Sequence, residues 1–238
     1  MTISIKNARG YDSIMNDKMP TNCIITEFDR TPCTVGEVGG KGYGLVRLKS
    51  AGFKVPPFFI ISTKGLEYFL SANGHSLVSL AGLTDAQERL IQFEFPADLR
   101  GSILDAYRRT FGTASVAVRS SGTIEDMEGE SKAGRFETVL SVKENQLLDA
   151  VKKVYASLFA DTLNAAENPL MAVVVQSQIL PNKAGVAFAE VDKIVLSAVL
   201  GQGSTLVSGR ENGDLYSLNS DSTQHKARKF PSIKLYIA

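Results

Sequence analysis

Two basic side chains, Lys41 and Arg119, stand in settings suited to gripping phosphate. Lys41 lies inside TVGEVGGKGYG at 34–44, ahead of an apolar helical pattern. Glycines without a Cβ let backbone N–H groups approach phosphate oxygens, the following helix adds a favourable dipole, and a lysine adds a point charge. Arg119 closes the apolar run VAVR at 116–119, and Ser120, Ser121, Gly122 and Thr123 follow it. Its planar fork matches phosphate geometry, small hydroxyl residues add donors, and Glu125 and Asp126 stand close enough in sequence to orient it. Three more segments have the right composition for a nucleotide site. SKAGRFETVL at 131–140 is a small-residue turn leading into a strand, able to fold over a ligand. MAVVVQSQ at 171–178 is an apolar run ending in amides. GQGSTLVSGRENGD at 201–214 is a second glycine loop. Taken singly, each of the five is equally an ordinary turn, strand end or core strand.

Several chemistries are excluded. The Lys41 loop is not a Walker A motif, because Gly42 follows the lysine where Ser or Thr is required. No VAIK strand or HRD loop accompanies it, so a protein-kinase glycine loop fits poorly. The cysteines, Cys23 and Cys33, have no CxxC spacing, and the histidines, His75 and His225, are isolated, which argues against zinc. Lys and Arg number 26 against 25 Asp and Glu, a net charge of +1, which provides no field for nucleic acid or anionic lipid. No apolar run approaches the ~18 residues of a membrane span, and the N-terminal stretch lacks a secretory h-region. The expectation is a cytoplasmic protein.

The elements that must carry these loops are mixed. Residues 1–34 read as an extended leader with many turn residues. Leu45, Val46, Leu48 and Ala51 recur on one helical face, ending near Gly52. VPPFFIIS at 55–62 reads as a buried strand, followed by a helix from Thr63. Helices are predicted over 84–92 and 96–111, a strand over 115–119, a loop over 120–135 and a strand over 136–142. The spacing of Leu147, Leu148, Val151, Val154, Tyr155, Leu158 and Phe159 predicts one long amphipathic helix over 144–165. Beyond Pro169 come antiparallel strands at 171–179, 185–191, 193–200 and 214–218. The fold class is therefore α+β, with a helix-rich part at 35–168 and a strand-rich part at 169–238.

Read together, the five segments resemble the ATP-binding domain that opens phosphoenolpyruvate synthase and pyruvate phosphate dikinase; rifampin phosphotransferase begins similarly. The family pattern runs approximately VGGKGAxLxxLxxAGxxVPPGFxIT, VAVRSSAxxED, FAGQxxTxLNV, MAVVVQxMV and GLGExxVSG. The chain has VGGKGYGLVRLKSAGFKVPPFFIIS, VAVRSSGTIED, KAGRFETVLSV, MAVVVQSQI and GQGSTLVSG in the same order. Agreement of five segments is far more specific than any one of them.

The resemblance implies an ATP-grasp-like fold, two α+β lobes around a nucleotide cleft, over 35–238, with the second lobe cut short. It implies ATP and Mg²⁺ as cofactors. Lys41 and Arg119 match the residues that contact and polarise the phosphates. Gly134, Glu137 and Thr138 match the loop covering the nucleotide, and Gln176 the adenine-side strand. In the family the phosphoryl group passes to a histidine on a separate domain or subunit, the implied partner. The family's magnesium ligands lie in a segment resembling QDIEW, which this sequence lacks, so metal ligands stay unassigned and Asp214 is not made one. Full turnover is not expected from the chain alone. The alternative is a nucleotide-sensing or interaction module without catalysis.

Overall fold

Alternation of apolar residues in a few short runs builds a sheet with two different faces. The computed structural model describes residues 18–27, 29, 33–123, 137–160, 170–189, 193–201, 203–207, 209–210, 212–219 and 226–228. Gly134 and His225 lie outside the described residues. The chain forms two compact units, divided after Gln178. The first holds, in order, β1 (Ile24–Thr26), α1 (Val35–Ser50), β2 (Phe58–Ile61), α2 (Thr63–Ala72), α3 (Leu77–Ala81), α4 (Ala86–Gln92), α5 (Ala97–Phe111), β3 (Val116–Gly122), β4 (Thr138–Val142), α6 (Leu147–Ala156) and β5 (Met171–Ser177).

These strands make one antiparallel sheet in the order β1-β2-β5-β3-β4. Side chains on a strand alternate between faces. Phe59, Ile61, Val116, Val118, Met171, Val173 and Val175 enter a large core shared with Leu66, Leu90, Leu99, Ile103 and Val151 from helices α2, α4, α5 and α6. The other set, Phe58, Ile60, Ala172 and Val174, meets Val38 of α1 in a smaller core. Every one of these residues is almost wholly buried, each contributing about 1.5–3 kcal/mol for the larger aliphatics and Phe. The strand β5 is central, paired with β2 on one edge and β3 on the other. For that reason it belongs to the first unit, although the sequence reading placed it with the strand-rich part.

The second unit, from Ile179 onward, is an antiparallel sheet of β6 (Lys183–Ala189), β7 (Lys193–Leu200), β8 (Asp214–Asn219) and β9 (Lys226–Arg228), in sequential order, with a single turn of helix, α7 (Ser204–Val207). Ala198 and Tyr216 form its buried centre. Among the described residues no helix is long and apolar enough to cross a membrane.

Local structure departs from the sequence expectations in four places. The stretch 34–44 is helix rather than loop: Glu37 accepts from the Thr34 N–H at 3.0 Å and closes a capping box that starts α1 upstream of the glycines. The helix is broken at Gly39, with φ 67° and ψ 174°. Ser120, Ser121 and Gly122, expected in a loop, complete β3, because β5 continues to pair with them through Met171. The long helix expected over 144–165 is α6 with 3-10 turns at Glu144–Gln146 and Ser157–Phe159, and 161–165 lies outside the described residues. Within the stretch read as a leader, β1 pairs with β2 and Cys23 is buried in the large core.

Candidate functional site

The face of the sheet beneath α1 carries the candidate residues. Along β3, Val116 and Val118 point to the large core, so Arg119 and Ser121 fall together on the opposite, α1 side. Val174, directly opposite Arg119 on β5, lies on the same side, and so does Thr138, opposite Arg119 on β4. Above this row runs α1. Lys41, Gly44, Leu45 and Leu48 of the helix, together with Arg119 and Val174 of the sheet, line one cavity of about 240 Å³. Two cations from elements 78 positions apart in sequence thus share a hollow with an apolar floor and wall. Lys41 is exposed and Arg119 half-buried.

Local folding explains each placement. The Thr34–Glu37 box fixes the start of α1, and the neighbouring hydrogen bond to Thr34 holds the Glu37 carboxyl below its usual range. Lys64 approaches the same carboxylate at 3.4 Å, and Thr63 Oγ donates to the Gly36 carbonyl at 3.0 Å, tying the first helical segment to the start of α2. Past the break at Gly39 a second segment begins, and its dipole puts partial positive charge beside Lys41. The Arg119 guanidinium reaches Gln176 Oε1 at 3.5 Å. This is a long contact, but Gln176 is only 7% exposed, so it flanks the guanidinium on its sheet side.

The other residues singled out by sequence are placed differently from one another. Thr138 is exposed, at the register position beside Arg119. Glu137 precedes β4. Its N–H donates to Ser157 Oγ at 3.2 Å and its carbonyl accepts from the Ser120 N–H at 3.3 Å, so its backbone is tied to the edge of the sheet near the end of α6. Gln176 sits in a strand flanked on both edges, which commits its backbone groups to the sheet. It can meet a ligand only through its side-chain amide. Neither Thr138 nor Gln176 lines the 240 Å³ cavity itself.

Sequence reasoning missed the apolar lining from Leu45, Leu48 and Val174, and the part played by Ser121. Ser121 is fully buried; its Oγ accepts from the Gly42 N–H at 2.9 Å and donates to the Val38 carbonyl at 2.7 Å. The signal was present as strand alternation, which sets Ser121 on the face of Arg119 two residues earlier. Among the described residues, no group of three or more His, Cys, Asp or Glu side chains could hold a metal ion. Cys23 and Cys33 are unbridged, and burial pushes the Cys23 thiol up to about 11.

The profile of the family described as pyruvate phosphate dikinase, AMP/ATP-binding domain, matches residues 35–237. A phosphoenolpyruvate synthase of Aeropyrum pernix is 36% identical over 216 residues, covering 75% of this chain and 26% of that protein. An uncharacterized phosphotransferase of Bacillus subtilis is 33% identical over 200 residues, 77% of this chain and 24% of its own. A rifampicin phosphotransferase of Bacillus cereus is 32% identical over 232 residues, 84% of this chain and 26% of its own. The chain spans about a quarter of the length of these relatives.

Proposed function

The chain belongs to the pyruvate phosphate dikinase AMP/ATP-binding domain family, and from that premise we propose that it binds ATP, with Mg²⁺ carried on the nucleotide, as the nucleotide-handling part of a phosphotransferase. The observation that carries the reading is the shared cavity: Lys41 and Arg119 converge on it from α1 and β3. A triphosphate spreads its charge over many oxygens, and two fixed cations from separate elements neutralise it without reorganising when it arrives. Leu45, Leu48 and Val174 keep the hollow apolar on its other sides, which lowers the local dielectric and strengthens both contacts.

In this reading the roles divide as follows. Lys41 supplies an ammonium point charge and Arg119 a planar fork, held from behind by the Gln176 amide. Thr138 offers a hydroxyl from the neighbouring strand, with Glu137 beside it at the edge of the sheet. The first unit is one lobe of an ATP-grasp arrangement and the second sheet the beginning of the other. The phosphoryl group goes to a histidine on another domain or subunit. That assignment accords with relatives about four times the length of the matched segment. Use of ATP and two unbridged cysteines suit the cytoplasm.

The test is a titration of MgATP against the chain and its Lys41→Ala and Arg119→Ala variants by calorimetry. Each variant deletes one phosphate cation and should weaken binding by about 10–100-fold, the range of a charge-assisted contact of about 1.5–3 kcal/mol. Unchanged affinity in both variants would overturn the reading.

A further inference from the structure

The break in α1 is bridged by a side chain from another element. In an unbroken helix the Gly42 N–H would bond the Val38 carbonyl, four residues back. Here Gly39 turns the chain out of helical geometry between them. The Ser121 hydroxyl stands in the gap, accepting from the Gly42 N–H at 2.9 Å and donating to the Val38 carbonyl at 2.7 Å. One hydroxyl thus satisfies the donor of the second segment and the acceptor of the first. Insertion of a side chain into the ladder is a recognised cause of helix kinks. The fit is close: a Cβ on Gly39 would lie 2.1 Å from the Ser121 carbonyl oxygen and 2.4 Å from Oγ. All partners are buried, so water is excluded from the bridge.

Ser121 is two residues from Arg119 on the same face of β3, and Gly42 is the residue after Lys41. The hydroxyl therefore hydrogen-bonds the strand that carries one cation to the helix that carries the other. We propose that Ser121 is a positioning residue that sets the spacing of Lys41 and Arg119 for a triphosphate, by holding the broken helix α1 to strand β3. This rests on the reading that the two cations grip ATP. Ser121 touches no ligand; it acts through Lys41.

The experiment is a double-mutant cycle in MgATP affinity, using the full chain as native, Lys41→Ala, Ser121→Ala and the double variant, with thermal melts alongside. Ser121→Ala should weaken binding about tenfold, and that loss should vanish when Lys41 is already Ala. Losses that multiply would mean the serine acts on general stability, and the proposal would fall. No loss in Ser121→Ala would overturn it too. If Lys41→Ala alone changes nothing, the serine has no Lys41 contact to act through and the proposal falls; if Arg119→Ala changes nothing either, the ATP-grip reading fails with it, which keeps the two outcomes apart. Should Ser121→Ala lose its cooperative melt, Ser121→Gly replaces it in the cycle under the same criterion. An independent readout uses the native chain alone: the Gly42 amide should exchange with deuterium as slowly as the amides of β3 and β5. Exchange of Gly42 as fast as an exposed loop amide refutes the bridge.

Discussion

Two glycines five residues apart on α1 should respond to the same substitution with opposite sign. Gly39 has φ 67° and ψ 174°, a region essentially restricted to glycine that costs other residues about 1–3 kcal/mol. A Cβ there would also stand 2.1 Å from the Ser121 carbonyl oxygen and 2.4 Å from its carbonyl carbon. Those are backbone atoms of a buried strand, so no rotamer change relieves the overlap, and overpacking adds about 1–3 kcal/mol. Gly39→Ala should therefore destabilise the chain by about 2–6 kcal/mol, a large share of the roughly 5–15 kcal/mol typical of a folded protein. Gly44 is helical, with open space within 4 Å of a Cβ. There the change to Ala removes only backbone freedom from the unfolded chain, and a gain of about 0.5–1 kcal/mol is expected. Urea unfolding followed by far-ultraviolet circular dichroism measures both, since the chain has no Trp for fluorescence. The midpoints should move in opposite directions at an unchanged slope. A loss under about 1 kcal/mol for Gly39→Ala would refute the reasoning, because it would mean that α1 can be lifted from β3 without penalty.

Buried hydroxyls give a second paired test. Tyr155 is fully buried and its hydroxyl has no hydrogen-bond partner, whereas the Tyr107 hydroxyl donates to the Ala114 carbonyl at 2.6 Å. Tyr155→Phe should be neutral or stabilising by up to about 1 kcal/mol and Tyr107→Phe destabilising by about 1 kcal/mol; a marked loss in Tyr155→Phe would show that its hydroxyl is satisfied in solution. Glu37 tests the helix start by pH. Its carboxyl is held below the ordinary 4.5, chiefly by the Thr34 N–H. The ionised group therefore stabilises the fold above that value, and the contribution disappears as pH falls through the lowered folded-state value. The native chain should exceed Glu37→Gln by about 0.5–1 kcal/mol near pH 7, and the two stability curves should converge as acid protonates the carboxyl; a gap that does not narrow as pH falls would contradict the assignment.

Legibility of the fold from sequence followed how far each element depends on neighbours. The helix over 97–111 and the strand over 193–200 were readable within a residue or two, because an apolar period or a continuous apolar run specifies them locally. The helix α1 was misread where its glycines cluster. Gly is a poor helix former, but a capping box upstream, Gly42 pressed against Ile60 and a hydroxyl from β3 together hold the segment in place. Likewise Ser120–Gly122 read as loop because Ser and Gly favour turns, yet Ser120 and Ser121 are almost wholly buried and paired to β5. In both places the deciding partner lies roughly 50 or more positions away in sequence, and a local reading has no access to it.

The candidate site shows the same division more sharply. Lys41 and Arg119 could each be singled out as candidate phosphate cations from the residues around them, but nothing local to either one indicates the other. What joins them is strand alternation combined with one docking contact. Arg119 faces α1 because Val118 and Val116 must face the large core, and α1 lies over Arg119 because Gly39 and Gly42 fit against Ser121. A Cβ at Gly39 or an apolar residue at 121 would leave both cations in the sequence and still disrupt the distance between them. The small residues of VGGKG and RSSG are thus best understood as packing requirements between a helix and a strand, which also explains why a glycine loop reaching for phosphate and a glycine helix pressed on a sheet look alike in sequence. The two readings differ in one measurable respect: a loop that cradles phosphate with its N–H groups keeps the Gly42 amide for the ligand, whereas here that amide is already spent on Ser121. On the proposed reading phosphate recognition on this face accordingly falls to the two side chains, and binding should weaken steeply with salt and lose most of its strength when both cations are removed together.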